Sequence, residues 1–400
     1  MTSIPKPSTL FEKWNLNPSI VHLNHGSFGG TPRFIIDKQK EYIDKLESEP
    51  VDFSVRQWYP LYYENKKALA DFVGTSEHNM YLVPNTTIGI NHILHNQKES
   101  NQQWLTTNHA YGACIHAFHK IGEERGNEII KVQIPYPLNS ENEILEQIEN
   151  NLSTKTSLAL IDYITSATAI IFPIKKIIDL LHSKGVKVIV DAAHAPGMVD
   201  FNLDELDADY FVANCHKWIC SPKGSAFVYV NPKHQKAYKP VFYSFYNDWN
   251  TDEAAHWCNQ FIWEGTKDYS AYLCIKDALS YMPSLINGGW NEIKTHNRNL
   301  AIHGAKLIAN KLEVKLPVPE SMLGSIVNIP LWDDKIPLKF FNYYTEVKNL
   351  LYDKYKIEVP CILFPQAPKQ YVRVSAHLYN SIEEYEYLGD CLLEIKKNRI

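Results

Sequence analysis

The chain has 400 residues, 45% of them hydrophobic and 21% charged, with a formal net charge of -5. That length exceeds what one hydrophobic core usually organises, so a large domain and a smaller one are expected. The weak, dispersed charge argues against a nucleic-acid groove or a polybasic membrane surface, and no stretch approaches the roughly 20 apolar residues that span a bilayer, which leaves a small molecule as the expected partner.

The N-terminal MTSIPKPSTLFEKW has neither the apolar core of a secretory signal nor the Arg-rich look of a transit peptide, so a cytoplasmic location is expected. Further on, Pro84-Asn85-Thr86-Thr87-Ile88-Gly89 reads as a loop entering a helix. Its N–H groups and dipole suit a phosphate, although Thr86 suits an ordinary N-cap equally well. Tyr111, in Asn-His-Ala-Tyr-Gly, is a candidate lid for a flat ring or a packing residue. Ser157 to Ile161 reads as an apolar strand before Asp162. Pro173 then opens a helix with Ile174, Ile177, Ile178 and Leu181 at helical spacing, closed by Lys184-Gly185. Val186 to Val190 runs as a buried strand into Asp191, and Tyr210 to Ala213 as another that stops at Asn214-Cys215-His216-Lys217. A third strand, Ala226 to Val230, follows the turn Ser221-Pro222-Lys223-Gly224.

Strands separated by helices indicate an α/β fold with a mainly parallel sheet covered by helices, in which ligands gather at the carboxyl ends of strands. Asp162, Asp191 and residues 214–217 are therefore expected to converge. From about Asn287 the pattern changes to helices, a Pro-rich patch (Leu316 to Pro319), short strands around Ile326 and Val372 and a last helix from Ile382. This predicts a large domain over 15–286 and a smaller C-terminal α/β domain built from 287–400 with 1–14. The seven cysteines, Cys114, Cys215, Cys220, Cys258, Cys274, Cys361 and Cys391, are irregularly spaced with no CxxC pair. No metal site is expected, and most are read as reduced, partly buried space-fillers.

Chemistry concentrates at the strand ends. A carboxylate at Asp191 could hold a pyridinium nitrogen protonated, or merely cap the next segment. An amine at Lys217, held in a desolvated site, would act as nucleophile and base near neutral pH. Arg373, on a short alternating strand, offers a planar fork for a substrate carboxylate, or a salt bridge. A nucleotide-binding oxidoreductase finds no support, since no GxGxxG follows a predicted strand.

Six short motifs occur in order: Leu23-Asn24-His25-Gly26-Ser27-Phe28-Gly29, Asn85-Thr86-Thr87, Asp191-Ala192-Ala193-His194, Asn214-Cys215-His216-Lys217-Trp218, Trp263-Glu264-Gly265-Thr266 and Arg373-Val374-Ser375. Together they resemble the class V aminotransferase family, in its isopenicillin N epimerase-like branch. The resemblance implies a homodimer of the pyridoxal phosphate (PLP) aminotransferase fold, fold type I. It also implies PLP carried as a Schiff base on Lys217, Asp191 at the ring nitrogen, His194 near the ring hydroxyl and Tyr111 over the ring. Thr86, Thr87 and His216 would hold the phosphate, with Thr266 reaching in from the partner subunit. Arg373 would take the substrate α-carboxylate, with Asn24 and His25 as further substrate-binding candidates.

Fold and cofactor leave the reaction open. The branch includes isopenicillin N epimerases, cysteine desulfhydrases and lyases of a sulfoxide conjugate, all starting with loss of the α-proton to the lysine. An epimerase needs a second-face acid, for which Tyr111 and His25 are the candidates, whereas a β-eliminating lyase needs fewer special residues. The expectation is therefore a C–S lyase acting on a sulfur-containing amino acid, with an epimerase as the alternative. A cysteine desulfurase or selenocysteine lyase would need Cys361 as a nucleophile on a mobile loop. A catalytically silent binding subunit would be expected to lose Lys217 or Asp191, and both are present.

Overall fold

The computed structural model describes residues 4–244, 257–333 and 346–398. Among these, twelve strands occur: β1 (Val21–His22), β2 (Met80–Val83), β3 (Gln103–Thr107), β4 (Glu128–Val132), β5 (Thr156–Asp162), β6 (Lys187–Asp191), β7 (Tyr210–Asn214), β8 (Ala226–Val230), β9 (Ile326–Pro330), β10 (Ile357–Glu358), β11 (Cys361–Leu363) and β12 (Gln370–Ser375). Seven form one sheet in the order β2-β8-β7-β6-β5-β3-β4. β4, β3, β5, β6 and β7 run parallel, and β8 runs against both of its neighbours.

The sheet's central strands are buried along their length because both faces are covered, and their runs of Val, Ile, Leu and Phe suit that position. Helix Ile174–Ser183 turns Ile174, Ile177, Ile178 and Leu181 inward, and Gly185, at φ +75°, reverses the chain into β6. The parallel register sets Asp162 opposite Asp191, so the two carboxylates leave the sheet side by side at its carboxyl edge. β7 ends at that edge with Asn214.

The C-terminal part forms a second, antiparallel sheet in the order β11-β12-β9. The long helix Gly289–Leu312 packs on β9 and against helix Ile382–Lys397, whose start is held by a capping box between Ser381 and Glu384. The N-terminal stretch joins this part as well. β1 pairs with β10, and the N–H of Ser375 donates to the carbonyl of Leu23 at 2.9 Å. All seven cysteines are free and fully buried, more so than the partial burial expected of them. Among the described residues no helix is long and apolar enough to cross a membrane.

Candidate active site

The carboxyl edge of the parallel strands opens into a cavity of about 320 Å³. Lys217, Asp191, Asp162, His194, His216, Thr86, Thr87 and Tyr111 all contribute to its wall, so eight residues spread from 86 to 217 meet in one place. Lys217 follows β7 directly. Burial, reinforced by the positive charge of Arg373, pushes its amine down to about 8. Its Nζ lies 3.1 Å from Nε2 of His194.

The tautomer of His194 follows from its other neighbour. The indole N–H of Trp218 can only donate, and it points to His194 Nδ1 at 3.3 Å, so that nitrogen carries no proton. Burial and the Lys217 charge hold the imidazole well below its usual range, leaving it neutral with its proton on Nε2. Above about pH 8, where the Lys217 amine is neutral, His194 Nε2–H donates toward it. His216 donates through Nδ1 to the Ser225 carbonyl at 3.1 Å, and burial together with Lys217 lowers it to about 4.

The two carboxylates share one desolvated wall. Asp191 Oδ1 accepts from the Ala193 N–H at 3.1 Å, the capping interaction anticipated for it. Its Oδ2 has no hydrogen-bond partner, with only the weak thiol donor of Cys114 bordering the carboxylate. Asp162 Oδ1 accepts from the Tyr111 N–H at 3.3 Å, while its Oδ2 also lacks a partner. Burial, and then the charge of Asp191, raise Asp162 well above the carboxylate range, because two adjacent carboxylates in a dry wall cannot both ionise cheaply. Burial also raises Asp191.

At the other end of the cavity, helix Thr86–Asn96 is capped by Asn85 rather than by Thr86. Asn85 Oδ1 accepts from the Ile88 N–H at 2.9 Å. Thr86 is therefore the first helical residue. Its N–H donates to Asn214 Oδ1 at 3.0 Å, and its buried hydroxyl oxygen has no partner.

Arg373 is buried on β12 and is not itself among the residues lining the cavity; it stands behind two serines of the wall. Nη1 donates to Ser166, to the carbonyl oxygen and at 3.2 Å to Oγ, and Nη2 donates to Ser27 Oγ at 3.0 Å. Ser27 and Ser166 both line the cavity, and the sequence reading singled out neither. A serine carries no periodic or charge signal, and only the arginine of β12 makes these two conspicuous.

Asn24 and His25 are not among the residues lining the cavity. Asn24 donates to Glu358 Oε1 at 3.1 Å and accepts from the Ser27 hydroxyl at 2.5 Å. His25 lies fully buried behind the lysine, where its Nε2–H donates to the Lys217 carbonyl at 3.0 Å and its Nδ1 meets the Tyr379 hydroxyl at 3.1 Å. Thr266 stands elsewhere, on a separate cavity of about 250 Å³ bordered by Phe53, Trp58 and Trp263. Cys361 is buried in β11, paired with Val372 rather than carried on a loop, and does not line the Lys217 cavity.

Similarity to known proteins extends over nearly the whole chain. The chain is 25% identical over 403 residues to a probable chloroplastic L-cysteine desulfhydrase of Arabidopsis thaliana, covering 94% of this chain and 83% of the relative. It is 24% identical over 403 residues to an isopenicillin N epimerase of Amycolatopsis lactamdurans, covering 96% and 98%. In fold it is similar to the apo structure of a cysteine desulfurase from Thermococcus onnurineus NA1, with a TM-score of 0.79 at 18% identity over the whole of both chains. The family model for class V aminotransferases matches residues 30–388, and a match of that extent, over a cavity built from the strand ends around Lys217, means that the chain belongs to the class V aminotransferase family.

Proposed function

We propose that this protein is a PLP-dependent C–S lyase that eliminates a sulfur leaving group from the β-carbon of an α-amino acid. The observation that carries the cofactor is the set of unpartnered oxygens around Lys217. Asp191 Oδ2 and Thr86 Oγ1 are both buried in the cavity wall without hydrogen bonds, and such groups are costly unless a ligand completes them. They match a group with a protonatable ring nitrogen and a phosphate, which Asp191 and the Thr86–Thr87 helix start would hold. When bound, the cofactor supplies an electron sink for the pair left at the α-carbon.

The remaining work falls to side chains of this chain. Lys217, with its amine lowered to about 8, would hold the cofactor and, once displaced by the substrate amine, would take the α-proton on Nζ. His194 Nε2–H steadies that nitrogen. Asp162, protonated by burial, adds a donor to a wall that would otherwise carry two negative charges. Arg373, just behind Ser27 and Ser166 of the wall, would take the substrate α-carboxylate by turning its fork from those two serines. Of the two candidates for an epimerase's second acid, His25 is buried against the Lys217 carbonyl and is no part of the cavity wall, which leaves Tyr111, a wall residue, as the one an epimerase would use; elimination needs neither. Desulfurase chemistry is disfavoured by the burial of Cys361 in a strand.

We further propose a cytoplasmic homodimer in which Thr266 completes the partner's phosphate site, and a division into a large unit over 15–286 and a small one from 1–14 with 287–400. The reaction is tested by incubating the holoenzyme with L-cysteine and cysteine conjugates while following pyruvate, sulfide or thiol release and substrate chirality. Pyruvate with loss of the sulfur group is expected. An inverted α-carbon without pyruvate would instead make the protein an epimerase, and release of alanine would make it a desulfurase.

A further inference from the structure

We propose that Lys66 and Cys258 form a covalent modification site, in which dioxygen joins the lysine amine to the cysteine thiol through an N–O–S bridge. Lys66 lies on helix Trp58–Val73, and Cys258 in the short 3-10 helix Trp257–Phe261. Nζ of Lys66 stands 3.1 Å from Sγ of Cys258, and both side chains are completely buried. Lysines normally bury their methylene stems and keep the amine in water. Here the amine is inside, with no carboxylate paired to it among the described residues. Its other neighbours are the ring faces of Tyr62 and Tyr63, at 5.7 and 5.3 Å. The thiol has an acceptor of its own in Asn259 Oδ1, at 3.8 Å, which turns its hydrogen aside and leaves a sulfur lone pair toward Nζ.

The bond-making balances with dioxygen as the only oxidant. The amine loses one hydrogen and the thiol loses its own, and one oxygen atom enters between nitrogen and sulfur. The second oxygen leaves with those two hydrogens as water. Nitrogen and sulfur each give up two electrons, and dioxygen takes all four. A thiol reductant breaks the S–O bond with two electrons, freeing the cysteine thiol and leaving a hydroxylamine on the lysine, and two further electrons from a second equivalent of dithiol remove that oxygen as water and restore the amine. Seven buried cysteines occur in the protein, and this one has an amine within contact distance, with both side chains completely buried. The bridge would also have a mechanical effect, because the segment after Cys258 runs on to Trp263 and Thr266. Those two residues border the second cavity together with Trp58, from the same helix as Lys66. Oxidation would pin that segment to the helix, and reduction would release it.

The test reads mass and does not depend on the catalytic assignment. The full-length protein is held in air-saturated buffer or under reductant without oxygen, alkylated, digested and analysed by mass spectrometry. The air-exposed sample should contain a linked peptide pair joining Lys66 to Cys258. It should be heavier than the sum of the two peptides by one oxygen less two hydrogens, and reductant should separate it. Cys258→Ser and Lys66→Met should lack the pair, and Cys220→Ser should retain it. Recovery of Cys258 only as a free thiol, or as a sulfinic or sulfonic acid with Lys66 unmodified, would overturn the proposal. That measurement on the unsubstituted protein decides the matter even if a variant does not fold.

Discussion

At Lys217, burial and the Arg373 charge favour the neutral amine, while Asp191, Cys114 and Asp162 favour the charged one, and the first pair prevails. The neutral form therefore dominates above about 8, where an ordinary lysine waits until about 10.4. Capture of PLP by the apoprotein should accelerate as pH rises through 8 and then level off, as followed by the growth of Schiff-base absorbance. A rate still climbing toward pH 10 would mean that the lysine is not desolvated, and Lys217→Ala should trap no cofactor with borohydride at any pH. Arg373 gives a second residue-scale prediction. A charge-assisted bidentate pair contributes on the order of 1.5–3 kcal/mol, so Arg373→Lys, which keeps the charge and loses the fork, should raise KM for an amino acid roughly ten- to a hundredfold. The cofactor spectrum should stay unchanged, and unaltered KM would remove the carboxylate clamp.

The elements around Lys217 act as a mould for it. The turn His25–Phe28 and its following Gly29 press on the backbone of His216 and Lys217, and a Cβ on Gly29 would come within 2.0 Å of the His216 carbonyl oxygen. Gly29 also sits at φ +73°, ψ 158°, a region essentially confined to glycine, where strain alone costs about 1–3 kcal/mol. Gly185 has a similar φ of +75° but open space around it, so it separates the two effects. Gly29→Ala should lower Tm more than Gly185→Ala and should also slow PLP capture, because the displaced atoms belong to the lysine's own segment. Equal losses in both variants, with normal capture in Gly29→Ala, would reduce Gly29 to a turn residue. The same scale gives Asn24 and His25 of the N-terminal motif their place outside the cavity wall. Asn24 and His25 look like binding groups by residue type, yet the fold uses them to brace Ser27 and Lys217.

For the whole molecule, the decisive feature is that Thr266 lies apart from Lys217. Its cavity is lined by Pro50, Phe53 and Ser54, and Val51 and Val55, next to them in the chain, are 76% and 72% exposed. Exposed apolar patches of this kind mark interfaces. Sedimentation should give a homodimer, Val55→Asp should weaken it, and cofactor should dissociate faster from that variant and from Thr266→Ala. A monomer with full activity at assay concentration would exclude a shared site.

Local order along the chain was legible from side-chain pattern alone. Helix Ile174–Ser183, the strands into Asp162, Asp191 and Asn214 and the last helix from Ile382 each follow from apolar spacing and end signals, which are properties of neighbouring residues. Strand alternation then required the strand-end residues to share one edge, so Asp191 and Lys217 were readable as partners. The choice of Asn85 over Thr86 as cap was not, because either side chain can accept that hydrogen bond, and it is Asn214 that takes the Thr86 N–H. Pairing across β5 and β6 puts Asp162 against Asp191, folding places Arg373 behind Ser27 and Ser166, and burial raises Asp162 and lowers the Lys217 amine. Those are through-space quantities: desolvation and Coulomb energy depend on which atoms surround a group, and residues hundreds of positions apart become neighbours only once the chain has closed on itself.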